Sequence, residues 1–245
     1  MTVELFIPCF VDQLHPQTAF STVKLIEKAG YKVQYNSRQT CCGQPAYNAG
    51  YWEEAKEIGT KFLADFSDQN YIVAPSASCV GMVKGGYNDL FTNTTVHNKC
   101  RTLQSNIMEL SDFLVNIARK DYFGAELEGR AVYHDSCSAL RECRIKDEPR
   151  LLLSKVHGLE LVEMNDTDAC CGFGGTFAVK FASISSAMAE QKVRNALDQQ
   201  ADYIISTDHS CLLHLQGYID QHQLPIKTIH IADVLANGWL ESTEY

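Results

Sequence analysis

The tripeptide Cys-Cys-Gly occurs twice, as Cys41-Cys42-Gly43 and Cys170-Cys171-Gly172, and each copy holds the same place in a longer register. Cys9 lies 32 residues before the first doublet and Cys137 lies 33 before the second. Cys79 follows Cys41 by 38 residues and Cys211 follows Cys170 by 41. Eight of the ten cysteines therefore form two equivalent sets of four. Four thiolates are the donor set of a tetrahedral metal or of an iron–sulfur cluster. A fold that uses them must bring three distant loops together, and must do so twice.

The repeat extends beyond the cysteines. Apolar runs at 3–8 and 131–134 lead to Cys9 and Cys137. Tyr71-Ile72-Val73-Ala74 leads to Cys79, and Tyr203-Ile204-Ile205-Ser206 leads to Cys211. Glu109-Leu110-Ser111-Asp112-Phe113-Leu114 matches His230-Ile231-Ala232-Asp233-Val234-Leu235. Four landmarks in one order, about 121 to 132 residues apart, indicate two copies of one domain rather than a solenoid. The boundary is expected within 121–129, where Gly124 and Gly129 stand, giving domains 1–124 and 125–245.

Apolar strands alternate with helical segments in both halves. Strands are predicted at 3–7, 31–35 and 71–74, then at 130–134, 159–163 and 203–206. Helices are predicted at 17–29, 51–66, from about 79, and at 107–120, then at 148–156, 183–200, 211–222 and 229–237. Pro16 suits a first helical turn and Gly30 a helix end. This alternation argues for an α/β fold with parallel sheets. The expected molecule is two duplicated, three-layer-like α/β halves related by internal pseudo-symmetry.

In such sheets ligands bind beyond the carboxyl ends of the strands. Cys9, Cys79, Cys137 and Cys211 each follow a strand, and the doublets fall in loops after the second strand of each half. Cys9, Cys41, Cys42 and Cys79 are thus the candidate ligands of one site, and Cys137, Cys170, Cys171 and Cys211 of the other. Helix N-termini at that rim favour thiolate over thiol. Adjacent cysteines in a strand would diverge; in a loop relaxed by a following glycine both can face one inorganic core. Vicinal cysteines bridge different atoms of a cluster more readily than they close one tetrahedron, which favours iron–sulfur over zinc and leaves zinc open.

The remaining composition narrows the function. A net charge of −9 argues against nucleic acid and against anionic membrane as partners. No apolar run approaches the ~20 residues of a transmembrane helix, so no integral membrane segment is expected. Residues 1–7 lack a basic stretch and carry Glu4, which does not resemble a secretory signal. A cytoplasmic setting follows, where thiols stay reduced and act as ligands or redox groups rather than disulfides.

The double pattern Cys9…Cys41-Cys42-Gly43…Cys79 and Cys137…Cys170-Cys171-Gly172…Cys211 resembles the duplicated cysteine-rich, or CCG, domain family. That family includes the cysteine-rich subunit of heterodisulfide reductase and the iron–sulfur subunit of glycolate oxidase. Length, the two-copy plan, His134-Asp135-Ser136-Cys137 and Cys171-Gly172-Phe173-Gly174-Gly175-Thr176-Phe177 are most similar to its lactate-utilization branch. The resemblance implies an iron–sulfur electron-transfer subunit of a complex that oxidises L-lactate, or a related 2-hydroxy acid, to pyruvate. It implies 4Fe-4S-type clusters, one or two per chain, with zinc as a substitute, and two partner subunits, one of them ferredoxin-like. Alternatives are a thiol-disulfide or heterodisulfide reductase-type subunit and a zinc-binding scaffold. Members with the full motif end each set in Cys-x-x-Cys; here Met82 and His214 stand where the fifth thiolate would be.

Other residues read as structural. Cys100 and Cys143 lack counterparts and are expected to be buried thiols. His134 and Asp135 are balanced between a role at cluster sulfur and a packed histidine with a helix cap. His209 is expected to be a satisfied histidine, and Arg141 and Arg144 a solvated helix face. Phe6, Phe10 and Trp52 read as core. Gly172-Phe173-Gly174-Gly175 lacks the spacing of a nucleotide loop. No general base or flavin site is discernible, so the catalytic residues stay unassigned.

Overall fold

The computed structural model describes residues 1–92 and 95–238. The first half contains β1 (Thr2–Leu5), α1 (Cys9–Leu14), α2 (Pro16–Lys28), β2 (Lys32–Tyr35), α3 (Gln44–Ala49), α4 (Trp52–Asp65) and β3 (Tyr71–Ala74). It continues with α5 (Ala77–Gly81), α6 (Tyr87–Phe91), α7 (His97–Asn106), β4 (Ile107–Glu109) and α8 (Leu110–Asp112). The second half contains β5 (Glu126–Tyr133), α9 (Asp147–Leu153), β6 (His157–Val162), α10 (Thr176–Lys180) and α11 (Ala182–Leu197). It ends with β7 (Tyr203–Ser206), α12 (His209–His222), β8 (Lys227–His230) and α13 (Ile231–Leu235). π-helical turns at Met82–Gly86, Phe113–Ile117 and Ala139–Cys143 join or extend the short helices.

Each half forms one four-stranded, all-parallel sheet, in the order β2-β1-β3-β4 and β6-β5-β7-β8. The two orders are the same, so the duplication is structural as well as sequential. The registers also match: Val3 lies opposite Tyr71, and Ala131 opposite Tyr203. One residue past each strand, the amide of Phe6 donates to Val73 at 2.9 Å and that of His134 to Ile205 at 2.8 Å. Phe6 and His134 are therefore equivalent positions, as are Cys9 and Cys137 three residues on.

The chain leaves β1 to one side for β2 and returns to the other side for β3. The loops after β1 and β3 consequently part, which opens a crevice at the carboxyl ends of the strands. The same holds after β5 and β7. Expected helix 17–29 is α2, begun by Pro16 and ended ahead of Gly30 at φ +89°. Its buried face, Thr18, Ser21, Thr22, Leu25 and Ile26, has helical spacing and packs on α13 of the other half.

Two expectations need correction. Segments 107–120 and 229–237 are not helical throughout: β4 and β8 come first, as the fourth strand of each sheet. Ile107-Met108-Glu109 and Lys227-Thr228-Ile229-His230 lack the apolar run that announces the equally short β3 and β7, whereas Leu110, Phe113 and Leu114 display a helical period. Trp52 is not core; it is 57% exposed and stacks on Tyr47.

The largest apolar cluster spans both halves. It takes Leu25 and Ile26 from α2, Phe113 and Leu114 beyond α8, Tyr133 from β5, and Ile231 and Leu235 from α13. Each such side chain contributes about 1.5–3 kcal/mol on burial. Two smaller clusters lie within single halves, one containing Cys42 and Cys79 and the other Cys171 and Cys211. Among the described residues no helix is long and apolar enough to cross a membrane.

Candidate metal centre

Each thiol set assembles from the three expected loops. Cys9 opens α1, Cys41 and Cys42 sit between β2 and α3, and Cys79 lies in the first turn of α5. Cys137 follows β5, Cys170 and Cys171 precede α10, and Cys211 lies in the first turn of α12. All eight line one pocket of about 710 Å³ between the halves. The two sets are therefore not on separate faces of a two-domain chain; they look into one shared space.

Within the first set the sulfurs run as neighbours. Cys9 lies 3.9 Å from Cys41, Cys41 adjoins Cys42, and Cys42 adjoins Cys79. In the second set Cys137 adjoins Cys170, Cys170 adjoins Cys171, and Cys171 adjoins Cys211. The glycine after each doublet closes the loop with a positive φ, +88° at Gly43 and +95° at Gly172. That turn aims its amide at the first sulfur of the doublet, at 3.4 Å in both sets.

The electrostatics repeat as well. Hydrogen bonds from Cys42, Cys9 and the Gly43 amide push the Cys41 thiol down to about 3. Those from Cys137, Cys171 and the Gly172 amide push Cys170 down to about 2. Their neighbours move the opposite way: the bond to Cys41 raises Cys9 and Cys42, and the bond to Cys170 raises Cys137 and Cys171, with burial adding to each. The first cysteine of each doublet is thus the thiol that most favours the thiolate, while Cys9, Cys42, Cys137 and Cys171 are biased toward the protonated form. Ligation needs the thiolate form, so filling either set releases protons. Sulfur-rich, part-buried and closed by backbone amides, the donor sets fit a thiophilic metal or an iron–sulfur core.

The halves differ at their equivalent residues. Phe6 packs on Phe62 and Phe66. His134 is fully buried, and neither ring nitrogen has a hydrogen-bond partner among the described residues. One of those nitrogens and the sulfurs of Cys171 and Cys211 all lie within 4.8 Å of one another. Burial pushes the imidazole down to about 3, so it is neutral. Asp135 beside it is not a helix cap; it receives both guanidinium nitrogens of Arg150, at 2.9 and 2.7 Å.

The positions of the absent fifth thiolates differ too. Met82 is buried and lines the pocket by the first set. His214 is held against α11, its Nε2 3.1 Å from Ser185 Oγ and 3.3 Å from Ser185 O. Cys100 is buried as expected, whereas Cys143 is half-buried and points its thiol at Ala77 O, 3.4 Å away. Phe10 is half-buried rather than core and meets Phe173 edge-on. Arg141 and Arg144 are exposed, as a solvated face requires.

His209 lines the pocket as part of a network that the sequence did not announce. It stacks between His15 and His230, with ring centroids at 4.0 and 4.5 Å. Thr18 Oγ1 donates to Asp233 Oδ2 at 2.6 Å, so the 2.8 Å contact with His209 Nε2 is a bond that the imidazole donates. His209, His230 and Asp233 each bring one atom within 4.8 Å of the others, but both ring nitrogens of His230 are already engaged, by Thr207 O and the Ala232 amide. Asp208, capping α12, ties the halves together: it accepts from Ser76 Oγ at 2.9 Å, from the Ser78 amide at 3.0 Å and from Ser136 Oγ. These partners lie far apart in sequence, and Ser, Thr and Asp in loops carry no signal of which distant group they meet.

The family model of the cysteine-rich domain CCG matches residues 3–84 and again residues 131–216. The sequence is 42% identical over 235 residues to lactate utilization protein A of Geobacillus kaustophilus, covering 96% of this chain and 98% of that protein. It is 41% identical to lactate utilization protein A 2 of Bacillus cereus, with 97% and 99% covered. A hypothetical protein from Helicobacter pylori shares the fold, with TM-score 0.64 at 12% identity over 96% of this chain and 48% of that one.

Proposed function

Since this chain belongs to the family of lactate utilization protein A, built from two cysteine-rich CCG domains, we propose that it is the iron–sulfur electron-transfer subunit of a cytoplasmic complex that oxidises L-lactate to pyruvate. The observation that supports this reading best is the convergence of two equal four-thiol sets on one pocket. Cys9, Cys41, Cys42 and Cys79 would hold one cluster, and Cys137, Cys170, Cys171 and Cys211 the other. When bound, clusters of the 4Fe-4S type supply one-electron redox chemistry. The protein's own part is to fix the eight sulfurs, to keep water off Cys42, Cys79, Cys171 and Cys211 by burial, and to offer the Gly43 and Gly172 amides to sulfur. Hydrogen bonds to cluster sulfur tune potential.

The pocket, of about 710 Å³, has room for a small acid, and its apolar wall includes Phe10, Phe173 and Val179. Two partner subunits, one of them ferredoxin-like, would exchange electrons with it. Anaerobic purification followed by iron, sulfide and paramagnetic-resonance analysis tests the assignment. About four iron atoms per filled set are expected, reduced by L-lactate once the partner subunits are present. A protein that stays colourless and iron-free after anaerobic reconstitution would overturn it.

A further inference from the structure

The geometry points to His134 as a ligand of the second metal site, so that the two halves hold chemically different centres: all-sulfur in the first, mixed nitrogen and sulfur in the second. This rests on the metal-binding reading of the thiol sets and goes beyond it.

Three observations carry the inference. His134 is fully buried, yet both ring nitrogens lack a partner among the described residues. Burying a polar atom without a partner is costly, and an imidazole has two. Tyr133, one residue before, packs in the apolar cluster that spans both halves, apart from the cluster that holds Cys171 and Cys211. Second, a ring nitrogen of His134 and the sulfurs of Cys171 and Cys211 lie mutually within 4.8 Å. Donors bound to one metal atom at about 2.0 Å for nitrogen and 2.3 Å for sulfur stand within that span. Third, the duplication supplies an internal control. Phe6 occupies the same place in the first half, its ring in a cluster of phenylalanines. The position thus admits a wholly apolar side chain, and packing alone does not call for an imidazole.

A nitrogen ligand also has a consequence for reduction potential. Where an imidazole takes the place of one thiolate on iron, the negative charge falls and the reduction potential rises. A second centre that bound His134 in place of one of its four thiolates would be the more oxidising of the two.

The test uses the full chain, purified and loaded with iron and sulfide without oxygen. In the reduced wild type, pulsed paramagnetic resonance should detect a directly bound imidazole nitrogen. His134→Phe, which copies Phe6, should abolish that coupling and lose up to half of the iron per chain. Its metal-free form should melt no lower than the metal-free wild type, which shows that the fold survives. His134→Cys should abolish the coupling but keep the iron, with the second centre shifted to lower potential. An iron-loaded wild type without imidazole coupling, or a coupling that persists in His134→Phe, would overturn the inference while leaving the cluster reading intact. If the wild type takes up no iron, the cluster reading fails, and zinc alone becomes the probe. X-ray absorption should then find nitrogen beside sulfur around zinc, lost in His134→Phe; an all-sulfur shell in both proteins would sink the assignment.

Discussion

A cysteine contributes to a metal site only when its neighbours can be stripped of protons together, and the doublets are where that is arranged. In each set the first cysteine of the doublet is the thiol pushed down, and it is also the one that receives the glycine amide. Cys170→Ser or Cys171→Ser should therefore remove the visible absorbance of the second centre and lower iron per chain by up to half. Cys100→Ser should change neither, since Cys100 lies in the core behind Leu103 and Phe91. Iron and absorbance measured side by side on the three variants decide the matter. The glycine can be tested separately. A Cβ at Gly172 would lie 2.6 Å from Ser185 O at φ +95°, whereas one at Gly50, φ +87°, meets nothing within 4 Å. Left-handed backbone costs about 1–3 kcal/mol for an ordinary residue. Gly50→Ala should show that cost alone, and Gly172→Ala should lower the melting midpoint further and disturb the second centre. At this scale the sequence disclosed the eight thiols because cysteine spacing survives without coordinates. It did not disclose His134's isolation, because whether an imidazole has partners depends on residues far away in the chain.

At the scale of elements, the fourth strands were hidden and the helix starts after them were not. β4 ends at Glu109 and β8 at His230, and both residues cap the helix that follows. The Glu109 carboxylate accepts from the Ser111 and Asp112 amides, and His230 Nδ1 accepts from Ala232 N at 3.1 Å. Both also meet Thr207: its hydroxyl donates to Glu109, and its carbonyl accepts from His230 Nε2 at 2.9 Å. The repeated phrases around 109 and 230 were visible because of these caps, while the residues before them lack the apolar run that marks the equally short β3 and β7. The two caps respond oppositely to pH. Burial lowers the His230 imidazole, with His209, Asp208 and Asp233 around it. Below about pH 6.5 the unfolded chain takes up a proton at this residue that the folded chain refuses, so its contribution is present at neutral pH and lost as pH falls. Burial instead raises Glu109 to about 7. There the folded chain keeps a proton that the unfolded chain has released, so its contribution is present below about pH 4.5 and lost as pH rises toward 7. The informative quantity is thus a difference between proteins. Metal-free His230→Asn, which retains a capping acceptor, should lose less of its melting midpoint between pH 7.5 and 5.5 than the metal-free wild type. Equal losses in the two would remove His230 from the account.

For the molecule as a whole, duplication in sequence does not mean independence in folding. The sequence supports the proposed units 1–124 and 125–245, and each has a complete sheet of the same order. Yet the largest apolar cluster draws α2 of one half against α13 of the other, and joins residues near β1 to residues near β5. No reading of periodicity could reveal this, because an amphipathic face shows that a helix is covered and not by what. Polar links cross the same boundary. The Asp208 carboxylate, 1% exposed, takes three donors, two of them from α5 and its cap in the other half. Asp208→Ala would leave those donors unpaired and cost roughly 3 kcal/mol, about 6–12 °C in a chain of this size. Its effect should reach both centres, because Ser76 and Ser78 adjoin Cys79 and Ser136 adjoins Cys137. A half expressed alone would expose the faces of Leu25, Ile26 and Leu114, or of Tyr133, Ile231 and Leu235, and lose several contributions of about 1.5–3 kcal/mol. That loss is comparable with the whole stability of a typical domain, about 5–15 kcal/mol. The metal-free full chain should therefore melt in one transition that coincides by far-ultraviolet circular dichroism and by calorimetry. Residues 1–124 alone should show no cooperative melt. Two separated transitions in the full chain, or a cooperative melt of the isolated half, would mean that the halves fold independently and only the pocket joins them.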